Sequence, residues 1–418
     1  MRFFWKIRYI LAAIICLGCS SEKEKILKLS GKLVDADSKS ILLIKPTQDM
    51  RFDSIIEIPV KDGKFHYTAK LEHPEAVTLF LGEARENGGG RYMPLFLEND
   101  KIDLTIYSEA EFDKNIVEGG KLNAQYKKYK EDIEARFNPS LIPLQDSRNV
   151  LYENDRYNSE PMKALYTELR TAENQDEKVV IYKKIEDLRK AGRHLSPEAE
   201  IVENKLKPIY DERKEFEQEY IKENPTIVAF YFLLNDLIFN REQIDLAAAR
   251  ENLQILTEAN PGHPYNKLAS GLLYGLENNK VGKKFTDFSA PDLEGDVVKL
   301  SEEIQGKVAL LDLWATWCGP CIAKSRTMVP VYEEYKEKGF TIIGVAGEFE
   351  NTDRLVSFLE KEKWPWQNLV ELDRRNSIWQ KYGVDGGGGG MFLIDEEGLI
   401  LAKDPTAEEV RRELEARL

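Results

Sequence analysis

Two cysteines, Cys318 and Cys321, close the apolar run Val-Ala-Leu-Leu-Asp-Leu-Trp-Ala-Thr-Trp that begins at Val308, and one acid, Asp312, lies inside it. A Cys-x-x-Cys pair supports two chemistries, thiol–disulfide exchange or half of a zinc site. Zinc needs a second pair of ligands. The other two cysteines, Cys16 and Cys19, lie at the extreme N-terminus, and His66, His73, His194 and His263 are scattered without ligand spacing, so no metal is expected. A continuous apolar run ahead of a helix suits a strand covered on both faces. Pro320 suits a first helical turn, where its missing N–H costs nothing. Cys318 therefore falls at a helix N-terminus, where free amides and the macrodipole favour a thiolate, the attacking species in disulfide exchange. Asp312 is costly in such a strand unless it has a role or a partner, and low dielectric raises its pKa.

Trp317-Cys318-Gly319-Pro320-Cys321 at the end of a core strand resembles the redox signature of the thioredoxin superfamily. Phe285 to Leu300, around Asp292-Leu-Glu-Gly-Asp296, looks like the opening hairpin of the TlpA/ResA-like branch, which works in bacterial envelopes. The resemblance spans roughly the last third of the chain, in line with a usual domain length. It implies that Cys318 attacks a partner disulfide, that Cys321 resolves the mixed disulfide, and that Asp312 accepts the Cys321 proton. The alternative for Asp312 is a carboxylate paired with a core lysine. Trp317, Gly319 and Pro320 complete the active-site loop, with Trp314 and Trp317 as packing and rim residues.

Three positions depart from those relatives. Lys324 stands where they often carry Glu, and Arg326 where they often carry Pro, with Pro330 a turn later. Relatives also place a cis-Pro opposite the cysteines, whereas this chain has Gly386 to Gly390. Counting from either side puts that position at Gly388 or Gly389, the expected client-docking loop. Gly389→Pro, or Gly388→Pro, is then expected to raise turnover or narrow the client set.

Arg2, Lys6 and Arg8 precede the apolar stretch Tyr9 to Leu17, a signal-peptide arrangement too short for the ~20 residues of a membrane span. Cys16-Leu-Gly-Cys19 resembles a bacterial lipobox, with Cys16 where Leu is usual; it implies a leader over 1–18 and a lipid on Cys19. The alternative is an ordinary cleaved secretory signal. With Cys16 removed and Cys19 lipidated, Cys318 and Cys321 are the only free pair, and no structural disulfide is available as scaffold.

A chain of 418 residues is too long for one ordinary domain. After a tether (19–25), residues 26–120 read as an all-β sandwich or barrel-like domain, from the short runs Ile26–Val34, Ile41–Ile44, Ser54–Val60, Lys64–Ala69, Ala76–Leu81, Tyr92–Leu97 and Ile102–Ile106. It resembles, loosely, a β-rich domain of unassigned function that precedes thioredoxin domains in envelope lipoproteins. Residues 121–280 read as helical, over Leu122–Phe137, Pro161–Ala191, Pro197–Lys222, Thr226–Phe239 and Arg241–Ala259. They are expected to act as a structural spacer, or as one wall of a client groove. Residues 281–418 alternate strands and helices as a thioredoxin-like α/β domain does. Within them Ser301 is expected to cap a short turn, Arg374–Tyr382 to be helical, and Ala407–Leu418 to close the fold.

The formal net charge of -14 and the absence of a basic stripe argue against nucleic acid. The expected activity is therefore a lipid-anchored, envelope-facing thiol–disulfide oxidoreductase without a cofactor. Its clients are envelope proteins and its electrons come from a membrane redox carrier. The rivals are a non-enzymatic client-binding lipoprotein with a weakly active thioredoxin domain, and a thiol peroxidase. The last calls for Thr or Ser three residues before the reactive Cys, where Ala315 stands.

Overall fold

A computed structural model describes residues 25–50, 53–173, 175–241, 243–384 and 388–418. The expected leader over 1–18, Cys19 and the rest of the expected tether up to residue 24, and Gly386 and Gly387, lie outside the described residues. The chain is multidomain: a β-rich N-terminal part, a helical middle and a C-terminal thioredoxin-like α/β domain.

The N-terminal part holds strands β1 (Leu27–Val34), β2 (Ser40–Ile44), β3 (Ile56–Pro59), β4 (Lys64–Ala69) and β5 (Glu75–Leu81). The short helix α1 (Ala84–Asn87) and strands β6 (Met93–Leu97), β7 (Lys101–Tyr107) and β8 (Ile116–Glu118) follow. They form two four-stranded sheets, ordered β4-β1-β7-β8 and β3-β2-β5-β6. Alternation decides which face is buried. Val77, Leu79, Leu95 and Leu97 fill the space between the sheets, while Ala76 and Phe96 turn outward into the helical core. There the Asn123 amide both accepts from the Phe96 N–H (3.0 Å) and donates to its carbonyl (2.8 Å), covering the open edge of β6 as a neighbouring strand would.

The middle region contains α2 (Lys121–Glu153), α3 (Glu160–Thr171), α4 (Gln175–Lys190), α5 (Pro197–Glu223), α6 (Ile227–Phe239), α7 (Leu246–Ala259) and α8 (Pro264–Asn278). The first helix does not stop at Phe137. Tyr129, Ile133, Phe137 and Leu141 are all buried at i+4 spacing, so one apolar stripe carries the helix through Pro139 and Pro143. The 161–191 stretch is two helices rather than one, α3 being started by Ser159, whose side chain accepts from the Met162 N–H. Tyr265 joins α8 to the β-rich part, its hydroxyl accepting from the Ala76 N–H and donating to the Ala76 carbonyl.

The C-terminal part runs β9 (Ser289–Pro291), β10 (Val297–Lys299), α9 (Leu300–Glu303), β11 (Val308–Trp314), α10 (Gly319–Tyr335), β12 (Phe340–Glu348), α11 (Asp353–Glu362), β13 (Gln367–Leu372), α12 (Ile378–Lys381), β14 (Gly390–Ile394), β15 (Ile400–Lys403) and α13 (Ala407–Arg417). Its sheet is ordered β13-β12-β11-β14-β15, parallel from β11 to β13 and antiparallel from β11 through β14 to β15. Central β11 is buried at all seven positions. At roughly 1.5–3 kcal/mol for each large aliphatic side chain buried, it anchors the domain. Ser301 lies inside α9 instead of capping it, and its N–H is taken by Asp287 Oδ1 at 3.0 Å. Of 374–382 only Ile378–Lys381 is helical, because Arg374 and Ser377 adopt φ of +56° and +53°, which break a right-handed helix. The β-rich part and the C-terminal domain meet where Arg374 donates to the Thr47 carbonyl (2.8 Å) and to Asp53 Oδ2 (3.0 Å).

Candidate active site

Strand β11 is held on both edges, by β12 and by β14, so the turn that follows it starts from a fixed point. The Cys318 N–H closes that turn onto the Ala315 carbonyl at 3.0 Å. Cys318 is the N-cap of α10, and its sulfur accepts from the Cys321 N–H at 3.3 Å, with Pro320 in the first helical turn. Cys318 and Cys321 are joined as a disulfide. Both are 7 % exposed, so burial does not separate them and their surroundings do: Cys318 Sγ meets a backbone N–H, Cys321 Sγ a carbonyl.

The turn is braced from β12. Glu348 is buried, and its two carboxylate oxygens accept from the Thr316 N–H (2.7 Å) and the Thr316 hydroxyl (2.8 Å). Burial pushes the Glu348 carboxyl up while those two bonds and Arg354 pull it back. Arg354 in turn donates to the Thr316 carbonyl at 3.1 Å. The Trp317 indole N–H donates to the Gly347 carbonyl at 2.9 Å, which sets the ring on the rim. Trp314 is wholly buried, its indole N–H donating to Asn368 Oδ1 at 2.9 Å.

Asp312 is 1 % exposed, and no ion pair to it occurs among the described residues. Its Oδ2 accepts from the Ser325 hydroxyl at 2.6 Å, in place of a core lysine. Burial pushes its carboxyl up to about 7, opposed by the Ser325 bond and by Lys324. Lys324 itself pairs with Asp404 at 3.0 Å on the surface.

The glycine loop lies against the disulfide. The Gly388 carbonyl is 3.3 Å from Cys321 Sγ. The disulfide sulfur bears no hydrogen, so this is a contact that becomes an S–H···O bond only when the pair is reduced. No cis peptide bond occurs among the described residues. Gly388 and Gly389 have φ of +83° and +63°, a region proline cannot enter. A Cβ on Gly389 would sit 2.2 Å from the Leu313 carbonyl oxygen and 2.7 Å from Cys321 Sγ. A proline at either position would therefore demand a different path for the loop. Among the described residues no group of three or more His, Cys, Asp or Glu side chains is arranged to hold a metal.

Over 154 residues the chain is 32 % identical to the thiol–disulfide oxidoreductase ResA of Bacillus anthracis, covering 36 % of this chain and 84 % of that protein. The chain belongs to the ResA family of thiol–disulfide oxidoreductases. It is also 32 % identical over 133 residues to the thiol:disulfide interchange protein DsbE of Pseudomonas fluorescens biotype C, covering 31 % of this chain and 68 % of that one. Residues 281–403 match the AhpC/TSA family, and residues 27–126 match DUF4369, a domain of unknown function. Among solved structures, a putative DsbE from Chlorobium tepidum is 33 % identical with a TM-score of 0.28, covering 33 % of this chain and 96 % of that chain. The thioredoxin domain of a Bacteroides vulgatus thiol–disulfide oxidoreductase is 27 % identical, TM-score 0.30, over 33 % of this chain and 96 % of that one.

The C-terminal domain is thus a thioredoxin-like oxidoreductase domain, and this ResA relative surrounds its disulfide with three residues that sequence reading passed over. Thr316 and Glu348 meet only through the sheet, although a Gly347-Glu348 pair ending an apolar run was a visible sign of a buried acid. Ser325 was readable by helical period, four residues after Cys321 and so on the same face of α10.

Proposed function

We propose that this chain is a lipid-anchored thiol–disulfide oxidoreductase of a bacterial envelope, exchanging disulfides with protein clients through Cys318 and Cys321. The observation that carries the reading is the Cys318–Cys321 disulfide at a helix N-terminus, with the Asp312 carboxyl buried behind it. In the reduced enzyme the Cys318 thiolate, favoured by the free amides of α10, attacks a client disulfide and expels one client thiolate. Asp312 takes the proton of Cys321. The Cys321 thiolate then attacks Cys318 Sγ and releases the second client thiolate, leaving the enzyme oxidised by two electrons. A membrane redox carrier returns those electrons. Trp317, Gly319 and Pro320 form the rim, and Gly388 and Gly389 receive the client backbone. The lipid on Cys19 holds the domain at the membrane, within reach of its donor. No helix among the described residues is long and apolar enough to cross a membrane.

Reduction of insulin disulfides by the full chain tests the reading against its rivals. We expect turnover that Cys318→Ser abolishes and no consumption of hydrogen peroxide. Peroxide turnover would assign a thiol peroxidase instead. Inactivity in both assays would leave a client-binding protein. Cys19→Ser is expected to move the protein from membranes to the soluble fraction, and a wild type already soluble after lysis contradicts the anchor.

A further inference from the structure

Ser325 sits one helical turn after Cys321, with no exposed surface. Its hydroxyl oxygen is 2.6 Å from Asp312 Oδ2 and 3.0 Å from the Cys321 carbonyl oxygen. A hydroxyl has one hydrogen to donate, so it serves one of these acceptors at a time. We propose that Ser325 is a positioning residue for the resolving half of the reaction, its hydroxyl switching between Asp312 and the Cys321 carbonyl as Asp312 gains and loses the Cys321 proton. The inference rests on the role given to Asp312 under Proposed function.

The switch follows from keeping every buried polar group satisfied. While Asp312 is ionised, Ser325 donates to it, and 2.6 Å is the short distance of a charge-assisted O–H···O⁻ bond. Without that donor the ionised carboxylate would stand buried with no partner, a costly arrangement. Once Asp312 has taken the proton from Cys321, it becomes the donor and Ser325 Oγ the acceptor. The serine hydrogen is then free to turn to the Cys321 carbonyl, the bond a mid-helix serine ordinarily makes. The Cys321 thiolate attacks Cys318 Sγ, the client sulfur leaves with the electron pair of the broken S–S bond, and the proton stays on Asp312 until solvent removes it.

Few other charges reach Asp312. Its sheet neighbours are Gly344 on β12 and Met391 on β14, neither of them charged. From α10 comes Lys324, and from the end of β15 comes Asp404. Lys324 pulls the carboxyl down, Asp404 pushes it up, and the two are paired with each other, so their influences offset. Among the described residues Ser325 is then the uncharged group that favours the carboxylate, and the pH at which resolution works depends on it.

The test compares Ser325→Ala and Ser325→Thr in the full-length chain. In the disulfide form, where no thiol titrates, the Asp312 carboxyl is followed by 13C NMR. Wild type should titrate near the value of about 7. Ser325→Ala should move the midpoint up by about one pH unit, since a bond to the charged form is lost, and Ser325→Thr should restore it. Release of a trapped mixed disulfide should slow several-fold at neutral pH in Ser325→Ala and recover in alkali, with client KM unchanged. An unmoved Asp312 midpoint in a folded Ser325→Ala overturns the assignment alone. A midpoint that moves while release stays the same at every pH overturns Asp312 as proton acceptor, and this assignment with it.

Discussion

At the scale of single residues, the burial of Asp312 sets opposing demands on stability and chemistry. Its carboxyl is raised from 3.8 to about 7, so the folded chain holds a proton that the unfolded chain releases. Folding is therefore favoured most below the unfolded value and is progressively penalised as pH rises toward 7, by on the order of 4 kcal/mol at the top of that window. Asp312→Asn removes the penalty while keeping an acceptor for Ser325. We expect no gain in stability at pH 4, a gain reaching a few kcal/mol above pH 7, and slower release of the mixed disulfide. Urea unfolding across pH and single-turnover release measure the two halves. A folded variant with unchanged release would assign the acid to packing alone. Asp312 and the cysteines were legible because each is an anomaly of type: an acid in an apolar run, and a spaced thiol pair ahead of a helix. Glu348 showed only as an acid closing an apolar run, because its role depends on meeting Thr316 across the sheet, and spacing along the chain carries no sign of that.

At the scale of elements, strand–turn–helix carriage of the cysteines could be read directly, since the apolar run and Pro320 both mark the junction. The glycine loop could be placed opposite the cysteines but its conformation could not. A run of glycines encodes no preferred φ, and only pairing of Gly390 with Leu313 fixes where Gly388 and Gly389 lie. The consequence is an expected outcome opposite to the one that counting along the chain favours. Gly389→Pro places ring atoms where a Cβ already meets the Leu313 oxygen at 2.2 Å, at a φ of +63°. We expect a loss of more than about 1 kcal/mol in thermal or urea unfolding, and reduced disulfide turnover. A variant as stable and active as wild type would mean that the loop takes another path. The extension of α2 past Pro139 escaped sequence reading for a related reason. Proline is a local stop signal, and Leu141 overrides it through tertiary burial. Strand β13 is short, and its Gln367-Asn-Leu-Val-Glu-Leu pattern has no clear alternation.

At the scale of the whole molecule, the β-rich part reaches toward the rim of the thioredoxin-like domain. Arg374, bonded to Thr47 and Asp53, lies over the Phe349 ring at 5.5 Å, and that ring is 6.2 Å from Trp317. A part-exposed ion pair contributes at most about 1 kcal/mol, so Asp53→Ala should hardly change global stability. It should instead speed amide hydrogen exchange around Lys45–Asp49 and slow reduction of a folded protein disulfide, leaving reduction of oxidised glutathione unchanged. Equal effects on both substrates, or none on either, would deny the β-rich part any share in client access.

In the proposed mechanism Cys318 engages clients and Cys321 releases them. Its most direct measurement is mass spectrometry of the Cys321→Ser chain after reaction with an oxidised protein disulfide, with Cys318→Ser as the partner variant. We expect a mixed disulfide that accumulates on Cys318, is released by dithiothreitol, and is absent from Cys318→Ser. An adduct that accumulates on Cys321 in Cys318→Ser, with none in Cys321→Ser, would contradict it.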